Sequence, residues 1–98
     1  MSRSLVKLDL SSNGLPPLSG IYIVKALRDN MYLNDLNLSR NNLNDDFAKQ
    51  LAKCLNVNDI LWKVDISNNP IGEVGALAIL KSLKEANETL TSLGDLQS

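Results

Sequence analysis

Residues Leu5–Leu15 read LVKLDLSSNGL, residues Leu33–Leu43 read LNDLNLSRNNL, and residues Leu61–Ile71 read LWKVDISNNPI. All three fit one pattern, L-x-x-L-x-L-x-x-N-x-L, with Val or Ile as the only apolar replacements. The step from Leu5 to Leu33 is 28 residues, and from Leu33 to Leu61 it is 28 again. A further unit starts at Leu90, in LTSLGDLQS, 29 residues after Leu61. An eleven-residue pattern returning three times in register marks a repeat architecture, in which each unit buries its apolar side only against its neighbours. The chain therefore divides into repeats at about 5–32, 33–60 and 61–89, with the start of a fourth at 90, inside one domain spanning 1–98.

Each part of the pattern has a physical task. The alternating Leu-x-Leu is a short strand that sends one set of side chains inward and the intervening residues outward. Repeated strands are expected side by side and parallel. Asn13, Asn41 and Asn69 stand at the turn leaving each strand. An inward amide there satisfies backbone groups of its own and of neighbouring repeats, and these asparagines are read as a structural ladder.

The second half of each repeat has helical spacing. The segments are SGIYIVKALRDN over Ser19–Asn30, DDFAKQLAKCLN over Asp45–Asn56 and EVGALAILKSLKEAN over Glu73–Asn87. Ile23, Val24 and Leu27 align with Leu51, Ala52 and Leu55 and with Ile79, Leu80 and Leu83 as the apolar face. Asn44, Asp45, Asp46 and Glu73 supply capping or negative charge at helix starts, and Asn30 and Asn58 serve as stops. Gly20, Ala48 and Ala76 share one repeat position, where small residues are expected to let helix and strand pack closely. The third repeat carries one extra residue near Glu85 and Ala86.

This combination, LxxLxLxxNxL followed by a full helix, resembles the ribonuclease-inhibitor-like class of leucine-rich repeats over nearly all of residues 5–90. The resemblance implies an α/β solenoid, a short horseshoe with parallel strands on its concave face and helices on its convex face. It also implies that the chain binds another protein, without naming the partner. Functional residues do not transfer, because only the structural positions match.

Composition agrees with a folded interaction module. The chain has 98 residues, 44% hydrophobic and 21% charged, with a formal net charge of −1. That balance gives nucleic acid no electrostatic purchase. One cysteine, Cys54, cannot form an internal disulfide and suits a reducing, cytoplasmic setting. Neither a signal-peptide core nor a membrane-length apolar run is present, so a soluble protein without membrane contact is expected.

The outward strand positions define the candidate surface. They are Lys7, Asp9 and Ser11, then Asp35, Asn37 and Ser39, then Lys63, Asp65 and Ser67. One column reads Lys7, Asp35, Lys63 and the next Asp9, Asn37, Asp65: either cross-strand charge pairing that keeps a sheet solvated, or a polar docking surface. Trp62, the only tryptophan, occupies the strand edge where other repeats have Val6 and Asn34. It is either a hot-spot anchor or a ring lying flat on its own scaffold. The protein-binding set is thus Trp62, Lys63, Asp65, Asp35, Asn37, Lys7 and Asp9. A second column, Lys25, Lys53 and Lys81, with Arg28 and Lys84 nearby, reads as a solvated helix face.

No polar caps are visible at the ends of the array. Where the middle repeat has Lys49 and Gln50 at outward helix positions, the first has Ile21 and Tyr22 and the third has Leu77 and Ala78. Ile21, Tyr22 and Leu77 are therefore candidates for self-association, and the alternative reading is a piece of a longer solenoid, or a homo-oligomer, stacking through apolar ends.

Catalytic chemistry has little to work with. The absence of histidine removes His-based triads and most catalytic zinc sites. Gly72 and Gly75 are too sparse for a phosphate loop. Asp65, Ser67 and Asn69 mimic a calcium loop, but Pro70 stands where glycine is required and Ala76 where a glutamate belongs. Cys54 lies among apolar helix positions and is read as buried and inert. The sequons at Asn37 and Asn87 matter only outside the cell. A non-enzyme without cofactor or metal is expected.

Overall fold

The computed structural model describes residues 6–57, 60, 61 and 63–85, the last three by backbone alone. Leu5, Asn58, Trp62, the Leu83 and Lys84 side chains and the unit beginning at Leu90 lie outside what is described. Six elements alternate along the chain: β1 (Lys7–Asp9), α1 (Pro17–Leu27), β2 (Asp35–Asn37), α2 (Asp45–Leu55), β3 (Lys63–Asp65) and α3 (Glu73–Glu85). The strands form a parallel sheet in the order β1-β2-β3. Register follows the repeat, with Lys7 beside Asp35 beside Lys63, and Asp9 beside Asn37 beside Asp65.

The apolar pattern builds the core between sheet and helices. Leu36, Leu38, Val64 and Ile66 come from the strands and their exits, Leu43 from a turn, and Val24, Phe47, Leu51, Leu55 and Ile79 from the helices, all buried. Each such side chain contributes about 1.5–3 kcal/mol by leaving water. The middle repeat is buried on both flanks. At the first, the inward-facing Leu8 is 43% exposed where Leu36 and Val64 are at 0%.

Helix starts follow local chemistry. Helix α1 begins two residues earlier than its apolar spacing indicates, because Pro17 fits the first helical position, where no N–H is required. The Asn44 side-chain oxygen Oδ1 caps α2, accepting from the Phe47 N–H at 3.2 Å. Asp45 reaches into the next repeat, where its Oδ1 accepts the Gly72 N–H just before α3. Asn30 does not cap α1, whose C-cap is Arg28; its Oδ1 instead receives the N–H groups of Tyr32 and Leu33 at 2.9 and 2.7 Å, shaping the loop into β2.

At the shared small-residue position, Gly20 packs against both the end of the turn after β2 and helix α2, and Gly75, next to Ala76, packs against α2. A Cβ on Gly20 would sit 2.5 Å from Leu43 Cδ2 and 2.7 Å from Phe47 Cδ1, both in the following repeat. A Cβ on Gly75 would sit 2.6 Å from Asp45 Oδ1 and 2.8 Å from the Ala48 Cβ. Ile21 differs from its sequence reading. It packs half-buried against the core beside α2, whereas Tyr22 and Leu77 stand out at 65% and 57% exposure. The helical period left Ile21 at the margin between faces, and the neighbouring helix covers it.

Candidate functional site

The turn after each strand aims the outward side chains. Asn41 is buried; its Oδ1 accepts the N–H groups of Asn13 and Leu15 at 3.0 and 2.9 Å, and its Nδ2 donates to the carbonyls of Leu10, Leu38 and Ser39. Asn69 repeats the arrangement one unit later, accepting from Asn41 and Leu43 and donating to Leu38, Ile66 and Ser67. The expected ladder is therefore present at Asn41 and Asn69, each tying its turn to the one before, while Asn13 bonds the Leu10 carbonyl of its own turn. Just ahead of these asparagines, Ser12, Arg40 and Asn68 adopt left-handed backbone, with φ of 57°, 58° and 58°. A non-glycine residue there costs about 1 kcal/mol or more, and the ladder's hydrogen bonds offset it.

The column Asp9, Asn37, Asp65 carries a second duty that sequence reading did not assign. Asp9 Oδ1 accepts the Ser11 N–H at 2.9 Å and its hydroxyl at 2.6 Å. Asp65 holds Ser67 in the same way at 3.0 and 2.6 Å, and Asn37 accepts the Ser39 N–H at 2.9 Å. Each is an Asx turn at a strand exit. The Ser11 hydroxyl, then its N–H, hold the Asp9 carboxyl below its ordinary value of 3.8. Oδ1 of each side chain is thus engaged in its own turn, and these bonds leave Oδ2 of Asp9 and Asp65 and Nδ2 of Asn37 unused. The spacing Asp/Asn-x-Ser, present in all three repeats, was the available signal.

The column Lys7, Asp35, Lys63 alternates in sign across adjacent strands. Lys7 and Lys63 are exposed and Asp35 is half-buried. Among the described residues no ion pair closes between them. These six side chains form one polar surface on the side of the sheet away from the helices. Trp62, placed with them from sequence, lies outside the described residues.

Asn34 was not anticipated. Its Oδ1 accepts the Val6 N–H at 3.1 Å and its Nδ2 donates to the Ile60 carbonyl at 3.2 Å, tying the entrance of β1 in the first repeat to the end of the second, just ahead of β3. Equivalent positions hold valine and tryptophan, so no periodic signal marked it.

On the helix side, an open depression of about 710 Å³ lies over α2, lined by residues including Ile21, Lys49, Gln50, Lys53, Ala78 and Lys81. Lys25, Lys53 and Lys81 are all exposed, as expected of a solvated face. Cys54 is fully buried, and desolvation pushes its thiol up to about 11. Among the described residues no group of histidine, cysteine or carboxylate side chains is placed to hold a metal ion, and no helix is long and apolar enough to cross a membrane.

Parallel strands at 28-residue steps, each followed by an asparagine-bridged turn and a helix, define a solenoid of strand–turn–helix repeats. A family model described as Leucine Rich repeat matches residues 2–20, 29–52 and 61–80. The chain belongs to the leucine-rich repeat family, in its ribonuclease-inhibitor-like class. It is 37% identical over 93 residues to a mouse protein named ribonuclease inhibitor, covering 94% of this chain and 20% of that protein. It is 33% identical over 79 residues to mouse tropomodulin-4, covering 81% of this chain and 22% of the relative. The chain thus spans about a fifth of the length of these relatives. A solved structure titled leiomodin-1 actin-binding site 2 superposes with a TM-score of 0.85 at 24% identity, over 90% of this chain and 51% of the other, a likeness of fold.

Proposed function

We propose that the chain is a protein-binding module, a single repeat domain that engages its partner through the strand face. The observation that carries this reading is the in-register array Lys7–Asp35–Lys63 and Asp9–Asn37–Asp65. Its turns are locked by Asx bonds and the asparagine ladder, and its charges are not consumed by one another. A rigid scaffold presenting charges of both signs favours a partner of complementary pattern, and the Asx bonds have already ordered Asp9, Asn37 and Asp65 before binding. Trp62, the residue before Lys63 in the sequence, is proposed as an additional contact at the rim of this surface. The module is non-catalytic and resides in the cytoplasm, where the lone thiol of Cys54 remains reduced.

The titles of the relatives supply two protein probes, monomeric actin and a ribonuclease. Calorimetric titration of each against the chain is compared with two double variants: Asp35→Lys with Lys63→Glu on the strand face, and Lys49→Glu with Lys53→Glu on the helix face. The strand-face variant is expected to weaken binding about tenfold or more, and the helix-face variant to leave it unchanged. The reverse pattern, or binding of neither probe, overturns the reading for these partners.

A further inference from the structure

We infer that β1 is the contact edge of a two-fold homodimer, pairing antiparallel with the β1 of a second copy about Leu8. Among the described residues β1 has a neighbour on one side only. The Val6 carbonyl accepts from Asp35 and the Leu10 N–H donates to Asn37. The parallel ladder therefore uses the even-numbered residues of β1 and turns the N–H and C=O of Lys7 and Asp9 toward the open edge.

The sequence of that edge, Val6-Lys7-Leu8-Asp9-Leu10, is complementary to itself when reversed. An antiparallel pairing centred on Leu8 sets Lys7 opposite Asp9 of the second copy, twice over, on the polar face. It sets Leu8 against Leu8, and Val6 against Leu10, on the core side. Lys7 and Asp9 then form hydrogen-bonded pairs through the very backbone groups that the parallel ladder leaves over, and Leu8 occupies the closer, non-hydrogen-bonded pair. Asp9 keeps Oδ1 on Ser11, leaving Oδ2 for the lysine. A parallel pairing of two copies in the same register would instead place Lys7 against Lys7.

The surroundings fit such a contact. Val6 and Leu8 are 41% and 43% exposed on the core side of the strand. On α1, in the same repeat, Leu18 and Tyr22 are exposed as well. Unprotected edges are ordinarily blunted by proline, bulges or inward charges. Here the one lysine is cancelled by the aspartate two residues on. The dimer is a closed, isologous contact, and its sheet runs through six strands. It does not depend on the strand-face reading, although it would extend that face across both copies.

The test is the mass of the 98-residue chain by sedimentation equilibrium from low micromolar to about millimolar concentration, together with Lys7→Glu and Asp9→Lys variants. The unaltered chain should move from 10.7 kDa to twice that mass and stop there. Either variant alone turns two attractive cross-strand pairs into repulsive ones, and its dimerisation should weaken about thirtyfold. A one-to-one mixture of the two should regain the dimer, because introduced glutamate faces introduced lysine while native Lys7 faces native Asp9. Urea midpoints establish that each variant folds. Asp9→Lys removes an Asx turn; should it not fold, amide exchange in the unaltered chain decides, with Lys7 and Asp9 protected only at high concentration. A monomer at every concentration, an open-ended series, a dimer indifferent to both variants, or exchange at Lys7 and Asp9 that ignores concentration overturns the proposal.

Discussion

Replacing the ladder asparagines one at a time with alanine should give a graded series, not three equal losses. In Asn69→Ala the N–H groups of Asn41 and Leu43, both in buried hydrogen bonds to Asn69 Oδ1, lose their acceptor. Two of the three carbonyls that Asn69 serves keep other donors: Leu38 retains Asn41 Nδ2, and Ser67 retains the Arg40 N–H. The cost is therefore set mainly by two orphaned N–H groups at about 1–3 kcal/mol each, or about 3–5 kcal/mol together. In Asn41→Ala the orphans are the N–H groups of Asn13 and Leu15, which lie nearer solvent, and the loss should be about 2–3 kcal/mol. Asn13 is exposed, and among the described residues its side chain bonds only the Leu10 carbonyl, which also receives Asn41 Nδ2. Its replacement should cost less than about 1 kcal/mol. Urea unfolding followed by circular dichroism measures all three. For a chain whose whole stability is on the order of 5–10 kcal/mol, Asn69→Ala lies close to unfolding. A loss at Asn13 equal to that at Asn69 would refute the ladder as the source of the energy.

Three further outcomes follow from the same geometry. Gly75→Ala should destabilise by about 2–3 kcal/mol in urea unfolding, since its new Cβ would meet the Ala48 Cβ at 2.8 Å and the Asp45 Cα at 3.0 Å, neither of which can swing aside; an unchanged midpoint would contradict the tight α2–α3 contact. Cys54 holds its proton to about 11 in the folded chain against an ordinary 9.0. The stabilisation is complete below pH 9 and is lost as pH rises toward 11, so Cys54→Ala should flatten that part of the stability curve, and alkylation of the native thiol at pH 8 should be no faster than opening of the fold. Carbon-detected NMR titration should find the Asp9 carboxyl below its ordinary 3.8, and Ser11→Ala, which keeps the backbone bond but loses the hydroxyl, should move it part of the way back; a titration indifferent to Ser11→Ala would remove the hydroxyl as the leading cause.

Most of the scaffold was legible in the sequence because its determinants recur. The inward leucines, the ladder asparagines and the apolar helix faces each return every 28 residues, so chance coincidence is excluded by repetition. What escaped was either unrepeated or ambiguous in period. Asn34 bridges Val6 to Ile60, yet its equivalents are a valine and a tryptophan. Ile21 lies at the border of a helical face, and only the position of α2 decides that it is covered. The shared position of Gly20, Ala48 and Ala76 was visible as a small-residue site, but whether it meets strand or helix depends on three-dimensional stacking that no single repeat contains. For the strand face, the alternating columns were readable from the pattern, while the engagement of Asp9, Asn37 and Asp65 in their own turns was available in the Asp/Asn-x-Ser spacing. That engagement makes Asn the gentler charge-removing probe at position 65, since Asn37 makes the same backbone bond without the charge.

The central claim is that the strand face binds protein, and amide NMR of the labelled chain with and without monomeric actin tests it most directly. Broadening or shifts at Lys7–Asp9, Asp35–Asn37 and Lys63–Asp65, with the outer helix residues Lys49, Lys53 and Lys81 unmoved, is the predicted result. Perturbation confined to those lysines, or spread evenly over both sides, would contradict it.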